Sequence, residues 1–255
     1  MSNSVRHLTL SRLALSGACA LGACQGNSNA PLPSSMRLSI PAAYDASASR
    51  FQLDLAASSL SERVDNPLFP ALPGAAWTYL ASTSDGVERT EVRVEAEPRD
   101  VWGTRARVSH DSLYLDDQLV EDTRDWFAQD QAGNVWYLGE DTAQYSNGQV
   151  VDRDGAWEAG VAGALPGVQM LAAPEVGDAY RQEYLPGQAE DVGQVISLTE
   201  SVSVPAGSWS GCLETRDRSV IEPDANEYKY YCPGVGLVLE VEGDTRVELS
   251  EYSGL

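Results

Sequence analysis

The stretch DWFAQDQAGNVWYLGEDT, residues 125–142, sets two aromatic-rich runs on either side of Gln131-Ala132-Gly133-Asn134. Each run mixes bulky, β-favouring side chains with polar ones, and the join is short, polar and contains glycine. That combination reads as a β-hairpin. The segments around it follow the same rule. AWTYLASTS and VERTEVRVEAE flank Asp85-Gly86, a strong hairpin signal. DVWGTRARVSH and SLYLDDQLVEDT follow, the second broken by a turn at Asp116-Asp117, and AQYS and QVVDR are separated by Asn147-Gly148. DAYRQEYLP, QVISLTESVSVP, GSWSGCLETRD, NEYKYYCPGVGLVLEVE and RVELSEY bring the total to about a dozen strands.

Three segments break the period of two. FQLDLAASSLSERV reads as a short helix, NPLFPALPG as an irregular lead-in, and GAWEAGVAGALPGVQMLAAPEVG as a long crossing loop with a helical turn. The expected fold is mainly β: a single curved antiparallel sheet or half-barrel with a few short helices, after a disordered N-terminal tether. Residues 65–255 form one β-rich domain, a size common for single all-β domains.

Arg6, His7 and Arg12 stand without an acid ahead of an apolar, small-residue stretch from Leu13 to Ala23. A basic start and an apolar run too short to span a bilayer mark an export signal. Leu21-Gly22-Ala23-Cys24 has the form of a bacterial lipobox, in which the cysteine is acylated with palmitate-type chains. Residues 1–23 are then a lipoprotein signal peptide, with an ordinary secretory signal as the alternative. Cys19 fails the pattern, because Ser16 stands where the large aliphatic residue belongs. Gln25, in place of aspartate, points to the outer membrane rather than the inner in a cell with two membranes. Residues 24–64 open rich in Ser, Ala, Asn and Pro and form a lipid-attached flexible linker. The membrane, reached through the anchor, is the first expected partner.

Cys212 and Cys232 remain. In an exported chain such a pair is more often a disulfide than a metal site, two buried thiols being the alternative. The chain carries 17 basic and 38 acidic residues, a net charge of −21. Without residues 1–23, which hold two arginines and no acid, 15 basic residues face the same 38 acids, or −23. Such a surface excludes nucleic acid as a partner. Lys229 is the sole lysine, and arginine at the other basic positions reads as a genome-composition effect. Beyond the signal, His110 is the single histidine, which argues against multi-histidine metal sites and histidine-dependent nucleophiles. It reads as a solvated residue at a strand end.

NPLFPALPGAAWTY, DWFAQDQAGNVWYLGEDT and YYCPGVGLVLEV together resemble a family of bacterial exported proteins and lipoproteins without an assigned activity. Its motifs are Pro-Gly-x-x-Trp-x-Tyr, an Asp-Trp-aromatic-Ala-Gln-Asp…Gly-Asn-Val-Trp-Tyr hairpin and a closing Tyr-Ala-Pro-Gly-Val-Gly-Leu-Val. The closing motif is similar to that of exported domains with the curved sheet of lipoprotein carriers. The resemblance spans most of 66–252 and implies a fold rather than a reaction. Cys232 stands where the family has alanine, and with Cys212 it suggests a local disulfide.

Trp126, Trp136, Tyr137 and Trp157, with Arg181 and Glu183, are candidate ligand-binding residues. Inside a curved sheet they could line a groove for an apolar molecule, although aromatics at alternating strand positions also make ordinary β cores. Arg181 and Glu183 share a side by period two and read as a buried pair or a carboxylate-orienting site. The segment 121–141 is dense in carboxylates, and Asp125, Asp130, Asn134, Glu140 and Asp141 could supply oxygens to calcium, the one cofactor considered. No EF-hand pattern is present. Paired carboxylates from Glu140, Glu158 and Glu183 would serve a hydrolase if held about 5–9.5 Å apart. The expected function is a membrane-anchored, non-catalytic binding domain for an apolar ligand or an envelope protein partner. A calcium-binding domain and a carboxylate-dependent hydrolase are the alternatives.

Overall fold

The structure, a computed structural model, describes residues 36–38, 53–55, 57–222 and 225–255. Cys24, the signal 1–23 and most of the linker lie outside the described residues. Met36–Leu38 (β1) pairs with Leu53–Leu55 (β2), and Val64–Asn66 (β3) with Phe69–Ala71 (β4). The N-terminal half continues through Ala76–Ser82 (β5), Val87–Val94 (β6), Arg99–Val101 (β7) and Thr104–Leu115 (β8). Gln118–Gln129 (β9), Val135–Ser146 (β10) and Gln149–Asp152 (β11) complete it. Trp157–Glu158 (β12) and Gly167–Met170 (β13) lie in the crossing segment. Ala179–Arg181 (β14), Asp191–Val204 (β15), Gly207–Ser219 (β16), Glu227–Cys232 (β17), Gly236–Glu242 (β18) and Thr245–Ser253 (β19) follow.

Twelve of these strands form one antiparallel path, β11-β10-β9-β8-β6-β5-β19-β18-β17-β16-β15-β14. Two meanders, one from each half of the chain, therefore meet where β5 pairs with β19, Leu80 opposite Glu248. β11 and β14 end the path and do not pair with each other, so the sheet is open, as its sequence pattern implied. The crossing segment draws the two meanders together. β13 pairs with β10, and the Leu165 N–H donates to the Tyr184 carbonyl at 2.9 Å. Gly167 permits that approach, since a Cβ there would lie 1.8 Å from the Gln182 carbonyl oxygen.

Hairpin signals landed where the turns are. Asp116 and Asp117 both take positive φ, which their short polar side chains tolerate, and Asp116 Oδ1 accepts from the neighbouring turn's Val87 N–H at 3.0 Å. The helices are fewer than expected. FQLDLAASSLSERV yields β2 and a 3-10 turn at Ala57–Ser59, and the crossing segment holds β12 and β13 in place of a helical turn. Leu55 is buried in the core, so the packed body takes in side chains N-terminal to residue 65. β8 runs unbroken through His110, which is mid-strand and accepts or donates a 2.7 Å hydrogen bond with Asp122; it is not a strand-end residue.

Directly paired residues share a face, so the register defines an inner surface. Ser109, Asp125 and Glu140 form one row across β8, β9 and β10; Asp111, Thr123 and Thr142 form the next. In the other meander Thr215, Lys229 and Glu240 align across β16, β17 and β18. A chain of buried rings, Phe69–Phe127–Tyr137–Trp157, packs with centroids 4.9, 5.0 and 5.3 Å apart. Cys212 and Cys232 form a disulfide at the start of the β16–β17 pairing.

Candidate binding site

Pro67 and Leu68 turn β3 back on β4, and the resulting small hairpin lies across the inner face. Asn66 anchors it: its Nδ2 donates to the Leu171 and Gly133 carbonyls, and its N–H to Gln129 Oε1. The Gly234 N–H donates to the Pro67 carbonyl at 2.7 Å. Phe69 packs edge-on against Phe127. Beneath the hairpin is a small pocket of about 30 Å³, lined mainly by Phe69, Trp77, Tyr79, Val92, Val94 and Leu237. Both polar ends of its aromatics are taken up by backbone, Trp77 Nε1 donating to the Val235 carbonyl and the Tyr79 hydroxyl to the Leu237 carbonyl. What remains is an apolar slot between a lid and a sheet.

Deeper in, the inner face is acidic. Asp111, Glu121, Asp125 and Glu140 are buried on β8–β10, and Asp191, Asp217, Glu227 and Glu240 on β15–β18. Burial, then the neighbouring Asp125, pushes the Asp111 carboxyl well above the usual carboxylate range. Burial does the same to Asp191 and Glu240, with Glu183 and Glu227 respectively as the next cause. The Tyr137 hydroxyl donates to Asp125 Oδ1 at 2.5 Å, and burial followed by the Asp125 charge raises its pKa well above that of a free phenol.

The four aromatics expected to line a groove are all buried and do not share a face. Tyr137 is opposite Phe127 and faces inward, and Trp157 lies edge-on to it. Trp136 is opposite Ala128, which puts it with Trp126 on the reverse side. The Arg99 guanidinium sits 3.7 Å above the Trp126 ring, and Trp136 Nε1 donates to Asp130 Oδ2 at 3.0 Å. Arg181 stacks 3.7 Å over the Tyr184 ring, while Glu183 is buried beside Asp191.

The five candidate calcium ligands are likewise divided. Asp130 closes its own turn, accepting from the Ala132 and Asn134 N–H groups, and the Asn134 side chain accepts from the Ala172 N–H. Asp141 is exposed and pairs with Arg153 at 3.1 Å, whereas Asp125 and Glu140 face inward. Among the described residues no group of three or more His, Cys, Asp or Glu is placed to hold a metal ion. Of the carboxylates considered for hydrolysis, Glu158 pairs opposite Gly139, which puts it on the other face from Glu140, and is held by Arg99 at 2.7 Å, whereas Glu140 and Glu183 are buried.

Sequence reading missed Phe69, Tyr79 and Leu237 as pocket residues, because they come from three distant segments. It also gave no role to Lys229, although its uniqueness was the available signal. No protein-family model matches the chain, and no curated protein matches it. Among solved structures the chain is similar to a candidate lipoprotein from Parabacteroides distasonis, 14% identical over 74% of this chain and 99% of that one, with a TM-score of 0.39.

Proposed function

We propose that this is a lipid-anchored, extracytoplasmic binding domain that admits an apolar chain beneath the β3–β4 hairpin. The lipobox ending at Cys24 supports the anchor, and the Gln25 beside it supports an outer-membrane address. The carrying observation is the slot: Phe69 on the lid faces Trp77, Tyr79, Val92 and Leu237 on the sheet. At about 30 Å³ it holds a group the size of one water, so a longer chain enters only as the hairpin lifts. The three-residue strand pair is held by the hydrogen bonds of Asn66, by those between Asp65 and Gln129, by the Gly234–Pro67 bond and by Phe69 against Phe127, a set small enough to open as one unit.

The test is titration of purified residues 24–255, carrying Cys24→Ser, with dodecanoate below its micelle concentration while tryptophan emission, to which Trp77 in the slot contributes, is followed. A saturable change is expected, abolished by Val92→Arg in the slot. A linear response that Val92→Arg leaves intact would overturn the binding reading. Palmitate labelling of the full chain, lost in Cys24→Ala, tests the anchor separately.

A further inference from the structure

Lys229 is the chain's sole lysine, and its side chain is 2% exposed. Its Nζ lies 3.1 Å from Glu227 Oε2, 3.3 Å from Asp217 Oδ2 and 4.0 Å from Glu240 Oε2. Lys229 is on β17 opposite Thr215, and Asp217 is one inward position further along β16, opposite Glu227. Asp217 Oδ2 also accepts from Gln182 Nε2 at 3.1 Å. Asp217 Oδ1 is buried without a hydrogen-bond partner.

Stability alone accounts poorly for this arrangement. Burying an ion pair costs about as much in lost hydration as it returns, and an apolar replacement is often as stable. Here one cation faces three acids, and Asp191 feels the same ammonium. Yet an amine and a carboxyl group held together in a buried site, the nitrogen 3.3 Å from one carboxyl oxygen, are the two reactants of an amide. Exclusion of water removes the agent that would reverse the bond.

We propose that Lys229 and Asp217 become joined by an intramolecular amide, an isopeptide bond between β17 and β16, with Glu227 carrying the protons. Glu227 takes a proton from the ammonium and frees the lone pair on Nζ, which attacks Cγ of Asp217. The Gln182 amide donates to Oδ2 as charge gathers there. Of the three ammonium protons, two pass through Glu227 to Oδ1, which leaves as water, and the third stays on the amide nitrogen. One C–N bond forms, one C–O bond breaks, and no electron is transferred to or from an outside reagent. Burial raises the Glu227 carboxyl above its ordinary range, which suits it to hold the proton it relays. Burial alone would weaken the hold of Lys229 on its proton, but Glu227, Asp217 and Glu240 more than reverse that. The transfer is therefore uphill and follows completion of the fold. The bond would staple the hairpin that the Cys212–Cys232 disulfide already fastens at its other end.

Intact-mass measurement on the disulfide-bonded protein, reduced just before analysis, tests this on the unaltered site. The mass is expected to fall short of the sequence mass by one water. Trypsin, cutting after Arg216 and Arg218, should leave Asp217-Arg218 attached to an uncut peptide 219–246. In the denatured chain Lys229 should then be inert to an amine-acylating reagent. Asp217→Ala and Glu227→Gln should each restore the full mass and the reactive amine. A full sequence mass with Lys229 acylated in the denatured wild-type chain would overturn the proposal, as would a water loss mapped to any other peptide. Neither result depends on a variant folding.

Discussion

Asp130 shows how much one side chain can hold at a hairpin turn. Its carboxylate accepts from the backbone of Ala132 and Asn134, from the Asn134 side chain and from the Trp136 indole. Three of those four donors belong to the buried residues Asn134 and Trp136, and removing their acceptor leaves them without the partner that burial demands. Asp130→Ala is expected to cost about 2–3 kcal/mol by that reasoning, read as a lowered urea midpoint with an unchanged slope. The sequence offered this residue's oxygens as candidate calcium ligands. It could not show that the donors are the protein's own. Nor could alternation reveal which of two apolar faces is inward, since Trp126 and Phe127 are adjacent and both buried. The bulge between Tyr137 and Glu140 then resets the parity, returning Glu140 to the inner row.

At the level of elements, the strands were legible wherever a turn announced itself. Asp85-Gly86 and Asn147-Gly148 both separate paired strands, with positive φ at Gly86 in the first turn and at both Asn147 and Gly148 in the second, where it matches the twist of a hairpin. The contact between β13 and the segment after β14 was not legible, because it depends on Gly167 meeting a backbone that is distant along the chain. The disulfide was legible from compartment and count. It ties Cys212 of β16 to Cys232 of β17 across a separation of 20 residues. Replacing both by serine is expected to lower unfolding free energy by about 3 kcal/mol on the loop-entropy estimate, measured by calorimetry beside the oxidised protein. With the proposed Lys229–Asp217 amide in place, most of that loop is already closed and the loss will be smaller.

The whole molecule stores acid on its inside as well as its outside. Burial, aided by Asp85, raises Glu88 to about 7, and Asp111, Asp191 and Glu240 move in the same direction. Such a group binds its proton more tightly when folded than when unfolded. Glu88 therefore stabilises the fold fully below its unfolded value of 4.5, and that contribution is lost as pH rises through about 7. Thermal melts should accordingly give a higher Tm at pH 5 than at pH 8, and Glu88→Gln should flatten the part of the curve between pH 5 and 7. A Tm that climbs steadily toward pH 8 would contradict the placement of these acids in the interior.

The seam between β5 and β19 sets a timetable for biosynthesis. Trp77 pairs with Tyr252, so an early strand waits for almost the entire remaining length before its second neighbour exists. Until then β5 offers a bare row of amides and carbonyls to any strand that passes. A ribosome that stalls before residue 245 leaves the first meander unjoined to the second. On the proposed export route, this delay would keep the chain pliable until its last strand is through. The same delay makes truncated products sticky, and gives a protease that clips the β19 strand the means to dismantle the sheet from its middle.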